Sequence, residues 1–112
     1  MTDPDHKWSS AEKRIARAAF DAALEARLAK VVAEFQRRAN AVKEPSEMWA
    51  IEDFLREQRL EIDETFDYRY SQLLYVFGGL IFRGELDEAQ LAGLSEDKQQ
   101  EIRRMLALAR RE

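Results

Sequence analysis

The sequence predicts an all-α fold built on two long antiparallel helices, and three observations carry that expectation. Residues 11 to 42 contain no glycine or proline, and Leu24, Leu28, Val31, Phe35, Ala39 and Val42 recur four or three apart as one apolar stripe. A second stretch, from Glu47 onward, repeats that spacing with Met48, Ile51, Leu55, Ile62, Phe66, Leu73, Phe77 and Leu80. No run shows strand-like alternation, and no internal repeat or low-complexity tract interrupts the pattern.

Each element has its own start and stop signals. Residues 1 to 8 read as a flexible polar lead. Ser9 with Glu12 three residues on forms a capping box that satisfies early orphan amides of the first helix. Pro45 stops that helix and biases Glu44 away from helical angles, and Ser46 reads as the new N-cap with Glu47 in the favourable first turn. Nothing breaks the second stretch outright before Gly78, but poor local propensity places a break or kink within residues 65 to 69. Gly78 and Gly79 sit among apolar residues, which suits close packing of another helix better than a turn. Gly84 after Arg83 is a C-cap. Asp87 with Gln90 opens a short helix ending near Gly93, and Ser95 caps a last helix through Ile102, Met105, Leu106 and Ala109. Arg110 and Arg111 suit the negative end of its dipole.

Composition narrows the function classes. The 112 residues fit a single domain, and 46% apolar with 36% charged residues is neither disorder-prone nor membrane-like. The absence of cysteine removes disulfides, thiolate zinc sites and redox motifs. The start has no apolar signal region, and the longest mainly apolar run, 73 to 82, is too short to span a bilayer, so the expected location is cytoplasmic without membrane insertion. A net charge of −4 gives no global field for a polyanion, and nucleic acid is not an expected partner.

Length predicts assembly. A first helix of about 32 residues spans roughly 48 Å, whereas a compact chain of this size has a diameter of about 35 Å. Two such helices protrude beyond any compact core. Met48, Trp49, Ile51, Phe54 and Leu55 also crowd two turns of the second helix with apolar surface on more than one face. Burial of that surplus against a second copy about a two-fold axis is the expected outcome.

Catalytic signals are weak. His6, the only histidine, lies in the polar lead, so no metal spacing or triad can be built on it. The glycines match neither a P-loop nor a dinucleotide fingerprint. Asp63 and Asp67, one helical turn apart, are a possible carboxylate pair, but neighbouring Arg59 and Arg69 favour a solvated charged face. The expectation is a non-enzyme with no cofactor and no metal.

From Trp49 the chain reads W-x-x-x-D-F-L-x-x-x-R-x-x-I-D-x-x-F-D-x-R, continuing into Ser71, Val76-Phe77, Gly84 and Asp97-Lys98-Gln99, with Trp8-Ser9 ahead of the first helix. This pattern resembles the fluorescence recovery protein family over nearly the whole chain. The resemblance implies an all-helical homodimer, with dimerising helices over about 9 to 66 and a small C-terminal helical head over about 67 to 112 that touches a partner. It implies a regulator that binds photoactivated orange carotenoid protein, speeds its return to the resting form and so ends phycobilisome quenching. It places Trp49, Asp53 and Arg59 in the dimer interface, and Met48, Glu52 and Leu55 accompany them there. Asp53 and Arg59 are six apart, about 600° of helix rotation, so they cannot meet within one helix but can pair across an isologous interface; the competing arrangement is Asp53 with Arg56 and Arg59 with Asp63.

In the head the resemblance implies partner contacts at Tyr75, Phe77, Lys98 and Glu101. Three positions depart from the family pattern: Glu52 stands where histidine is common, Tyr75 where phenylalanine is, and Glu101 where a lysine is. Charge reversal at an interface rim redirects partner choice, so an unrelated client on the same scaffold is the alternative.

Overall fold

The computed structural model describes residues 7–111, so His6 lies outside the described residues. They form four α-helices: α1 Ser10–Asn40, α2 Met48–Thr65, α3 Leu73–Phe82 and α4 Glu96–Arg110, with single 3-10 turns at Pro45–Glu47 and Glu88–Leu91. No strand occurs among the described residues.

Helix starts follow the side chains nearby. The Ser9 hydroxyl accepts from the Glu12 N–H at 3.1 Å while the Glu12 carboxylate accepts from the Ser9 N–H at 3.0 Å, closing the expected box. Asp87 and Gln90 form the same reciprocal pair at the second 3-10 turn, and the Ser95 hydroxyl accepts from the Lys98 N–H. Ser46 does not cap α2: it lies inside the 3-10 turn, and Glu47 instead reaches back to the Glu44 N–H at 2.8 Å.

The break between α2 and α3 covers residues 66–72, where the sequence contains no proline or glycine. Tertiary packing holds it open. Phe66 and Tyr68 each meet Phe20 edge-on, at 5.5 and 4.9 Å between ring centroids, and Tyr70 lies 5.5 Å from Trp8. Arg17 stacks over Tyr68 at 3.6 Å, and Lys13 lies over Tyr70. Alternate residues 66, 68 and 70 thus face α1, while Asp67 and Arg69 pair on the outside at 2.6 Å. The segment joins two helices without becoming a strand.

One core joins α3, α4 and the intervening loop to the first half of α1. Ala16, Ala19, Phe20 and Ala23 bury against Leu73, Phe77, Leu80, Leu91, Ile102 and Leu106. The alanines bring the α1 backbone close to this layer. Residues 9–27 therefore belong with the C-terminal helices by packing, rather than with a separate part ending at 66. At Gly78 a β-carbon would meet the Met105 sulfur at 3.5 Å, so α4 lies against α3 at that glycine as expected.

The later part of α1 and most of α2 extend away from this core. The molecule measures 60 × 33 × 23 Å with a radius of gyration of 17.3 Å, well above the roughly 13 Å of a compact chain of this length. Along that extension the stripe residues Leu28 and Phe35 remain exposed, as does Val32 beside the stripe.

Gly84 ends α3 with φ +75°, and a β-carbon there would touch nothing within 4 Å. Gly84→Ala therefore isolates the backbone cost of a left-handed residue. The expected loss is about 1 kcal/mol by denaturant titration, with an unchanged m-value.

Candidate functional site: an uncovered arm and a polar head cleft

Cations of α1 meet the ring of Phe54 within α2 and that of Phe66 just after it. Near the turn Arg38 stacks on Phe54 at 3.9 Å, and near the head Arg27 approaches Phe66 at 5.7 Å. Glu34 anchors Arg38 at 2.7 Å and Arg37 at 2.5 Å, and these two guanidinium groups pull its carboxyl down to about 2. Burial along this pair is partial: α2 contains no fully buried residue.

Between the two helices runs a 510 Å³ groove lined by Phe35, Ala39, Val42, Met48, Ile51, Glu52 and Leu55. Its walls are apolar except for Glu52, which is held by Arg56 at 3.3 Å. Beside the groove Trp49 is 62% exposed, and Met48 and Leu60 are also exposed. An indole in water on a rigid helix, next to an open apolar channel, has the composition of an interface core. Asp53 and Arg59 are both exposed, and neither makes an ion pair or hydrogen bond with the described residues. The competing intrahelical pairs are not formed: Arg56 takes Glu52 instead of Asp53, and Arg59 does not reach Asp63.

The head residues separate sharply. Tyr75 is 71% exposed and borders a 360 Å³ cleft between the end of α2 and α3. Glu101 is half-buried and paired with Arg104. Phe77 is 0% exposed, among the largest side chains of the core, so its expected role as a partner contact is replaced by a packing role. Its spacing to Leu73 and Leu80, four and three, is the signature of the buried face.

Lys98 is 5% exposed, and its expected partner contact is likewise replaced by an internal one. The Lys98 ammonium donates to the Lys7 carbonyl at 2.5 Å and to Glu12, and lies 5.0 Å from the centre of the Trp8 ring. Glu12 in turn accepts from the Ser95 N–H at 2.8 Å. Burial alone pushes the Glu12 carboxyl up, but the N–H donors of Ser9 and Ser95 and the Lys98 charge reverse this and hold it below its ordinary range.

A third ionic element went unread in the sequence. Arg27 grips Glu85 with both fork nitrogens across 58 positions, the Arg27 Nε bond being 2.5 Å. Arg83 shares the same carboxylate at 3.2 Å. The Glu85 carboxyl sits below its usual range, chiefly through the Arg27 hydrogen bonds and with help from Arg83. Neither partner has a local pattern that foretells the other.

Catalytic groupings do not assemble. Asp67 falls in the 66–72 segment and is taken by Arg69, so it shares no helical turn with Asp63. Among the described residues no cluster of three or more His, Cys, Asp or Glu is placed to hold a metal ion. No described helix is long and apolar enough to cross a membrane.

With this geometry in place, comparison with known proteins decides the family: residues 8–107 match the model for the photoprotection regulator fluorescence recovery protein. The chain belongs to the fluorescence recovery protein family. A fluorescence recovery protein of Synechocystis sp. (strain ATCC 27184 / PCC 6803 / Kazusa) is 36% identical over 103 residues, 92% of each chain. The solved structure of the Synechocystis sp PCC 6803 fluorescence recovery protein aligns with a TM-score of 0.83 at 33% identity, over 90% of this chain and 99% of that one. That of the Fremyella diplosiphon fluorescence recovery protein aligns at 0.82 and 35%, over 88% and 97%. The all-helical architecture is thus the family's own, and the family is one of photoprotection regulators.

Proposed function

We propose that this chain is a cytoplasmic, non-enzymatic homodimer that binds photoactivated orange carotenoid protein and speeds its return to the resting form, ending phycobilisome quenching. In this reading α1 and α2 form an antiparallel hairpin arm through which two copies pair, and the heads present the client surface. The carrying observation is the uncovered arm: an apolar groove of 510 Å³, flanked by a 62% exposed Trp49, on a member of this regulator family. Regulation requires no bond chemistry. Acceleration comes from binding conformations on the return path more tightly than the activated state, and only that difference in affinity changes the rate.

The charge reversal at Glu101 does not favour another client. Arg104 already engages that carboxylate within α4, so much of its field is neutralised at the head surface.

The test mixes the protein with photoactivated carotenoid protein in the dark and follows its absorbance. A recovery rate that rises with dimer concentration is expected; an unchanged rate at tens of micromolar defeats the client assignment. The dimer is tested through Asp53 and Arg59. Asp53→Arg is expected to weaken association measured by sedimentation, and Asp53→Arg with Arg59→Asp to recover it, because a two-fold interface restores each cross-chain pair. Equal weakening in the double variant contradicts that pairing.

A further inference from the structure

The cleft beside Tyr75 shares no lining residue with the groove through which we propose that two copies pair. Its lining includes Glu64, Asp67, Gln72, Tyr75, Gly79 and Arg83. Arg83 is the one cation of that lining, and its Nε is bound to Glu85. Glu85 is itself immobilised by Arg27, a bidentate pair that is mostly shielded from solvent. Arg83 thereby has its guanidinium plane set from behind, while its two terminal nitrogens make no bond with the described residues. It packs beside Gly79: the Arg83 Nη2 lies at contact distance, 3.7 Å, from the place where a β-carbon would stand. The guanidinium therefore lies along the face of α3 toward Tyr75, the most exposed large apolar side chain among the described residues.

Charges on the facing wall matter as well. Both oxygens of Asp67 are engaged by Arg69 at 2.6 to 3.0 Å. Glu64 is exposed at the rim and makes no ion pair with the described residues. The triad of Arg27, Glu85 and Arg83 carries a net positive charge, one carboxylate against two guanidinium groups.

We propose that this cleft receives an acidic side chain of a protein partner, its carboxylate held by the two terminal nitrogens of Arg83 and the adjoining apolar part of the partner resting on the Tyr75 ring. A planar fork with a fixed orientation matches a carboxylate bidentately, which a flexible lysine does not. Arg27 and Glu85 are positioning residues, since they act only through Arg83. The proposal rests on the head being a client face, and it adds the chemistry that the client must present there.

Two measurements keep this claim separate from the identity of the client. In the first, a short acetylated peptide of glutamates flanking one phenylalanine is titrated into the ¹⁵N-labelled protein. The Arg83 side-chain Nε–H and the Tyr75 amide are expected to move in the wild type, and the Tyr75 amide to stay still in Arg83→Gln. Arg83→Lys is expected to recover only part of the response, and Glu64→Gln to strengthen it by removing the facing charge. If neither position moves at about 10 mM peptide, where even weak carboxylate binding registers, or if a lysine-based peptide binds better, the proposal is overturned.

In the second, Arg83→Gln is expected to need roughly tenfold more protein for the same dark recovery of the carotenoid protein, with a flatter salt dependence. Wild-type activity matched by Arg83→Gln overturns the acidic-guest proposal alone. A wild type with no activity defeats the client assignment, and the peptide titration still decides the cleft.

Discussion

On the proposed pairing of two copies, Leu55→Glu is expected to leave the protein folded and monomeric at concentrations where the wild type associates. Leu55 lines the apolar groove of the arm and lies outside the buried core of the head. Glutamate is as good a helix former as leucine, so α2 itself loses nothing, and the helical circular dichroism signal should persist. Dimerisation would carry the new carboxylate into a desolvated groove whose only other charge is the carboxylate of Glu52. Burying an unpaired carboxylate costs at least about 3 kcal/mol after relaxation, and a two-fold interface presents it twice. Roughly 6 kcal/mol corresponds to about a ten-thousandfold rise in the dimer dissociation constant. Light scattering coupled to size exclusion reads the result. A variant that stays dimeric would move the interface off this groove, and a wild type that is monomeric and stable would remove the interface altogether.

Why that surface was readable while others were not follows from the range of each interaction. Helix starts depend on residues three apart, so Ser9 with Glu12 and Asp87 with Gln90 were visible as pairs in the sequence. The long stripes of α1 and α2 were visible because helical period is local, and the apolar surface left exposed along them follows from their length. Phe77 was legible too, since Leu73, Phe77 and Leu80 keep core spacing; the resemblance to a family contact set drew it outward against its own periodicity. Lys98 was not legible. A lysine is ordinarily solvated, and its burial depends on Glu12, 86 positions earlier. The same holds for Arg27 with Glu85, and for the aromatic residues at 66, 68 and 70, whose departure from helix depends on Phe20, Arg17 and Lys13 of α1. Local rules found the ends of elements, while long-range ionic and aromatic contacts decided how the head closes on α1.

Glu12 concentrates those long-range contacts, and its removal is expected to have the largest effect on stability of any single ionisable residue in the head. Glu12→Ala takes away the acceptor for the Ser9 and Ser95 N–H groups and leaves the Lys98 ammonium with one carbonyl and the face of Trp8 in a buried site. Breaking a buried ion pair from one side costs about 3 to 5 kcal/mol, which for a domain near this size lowers the melting temperature by roughly 15 °C or more. Lys98→Met is expected to cost less, because Glu12 keeps its two backbone donors, and the double variant to cost less than the sum because no orphan cation remains. Acid titration supplies a signature that packing loss does not. The Glu12 carboxyl lies below its unfolded value of about 4.3, so its contribution is complete above that pH and vanishes as pH falls through the folded value. Glu85 titrates in the same direction, so the wild type should lose stability steeply below about pH 4, and Glu12→Ala less steeply. Parallel acid limbs for the two proteins, measured by urea titration at fixed protein concentration, would show that folding leaves the proton affinity of the Glu12 carboxyl unchanged.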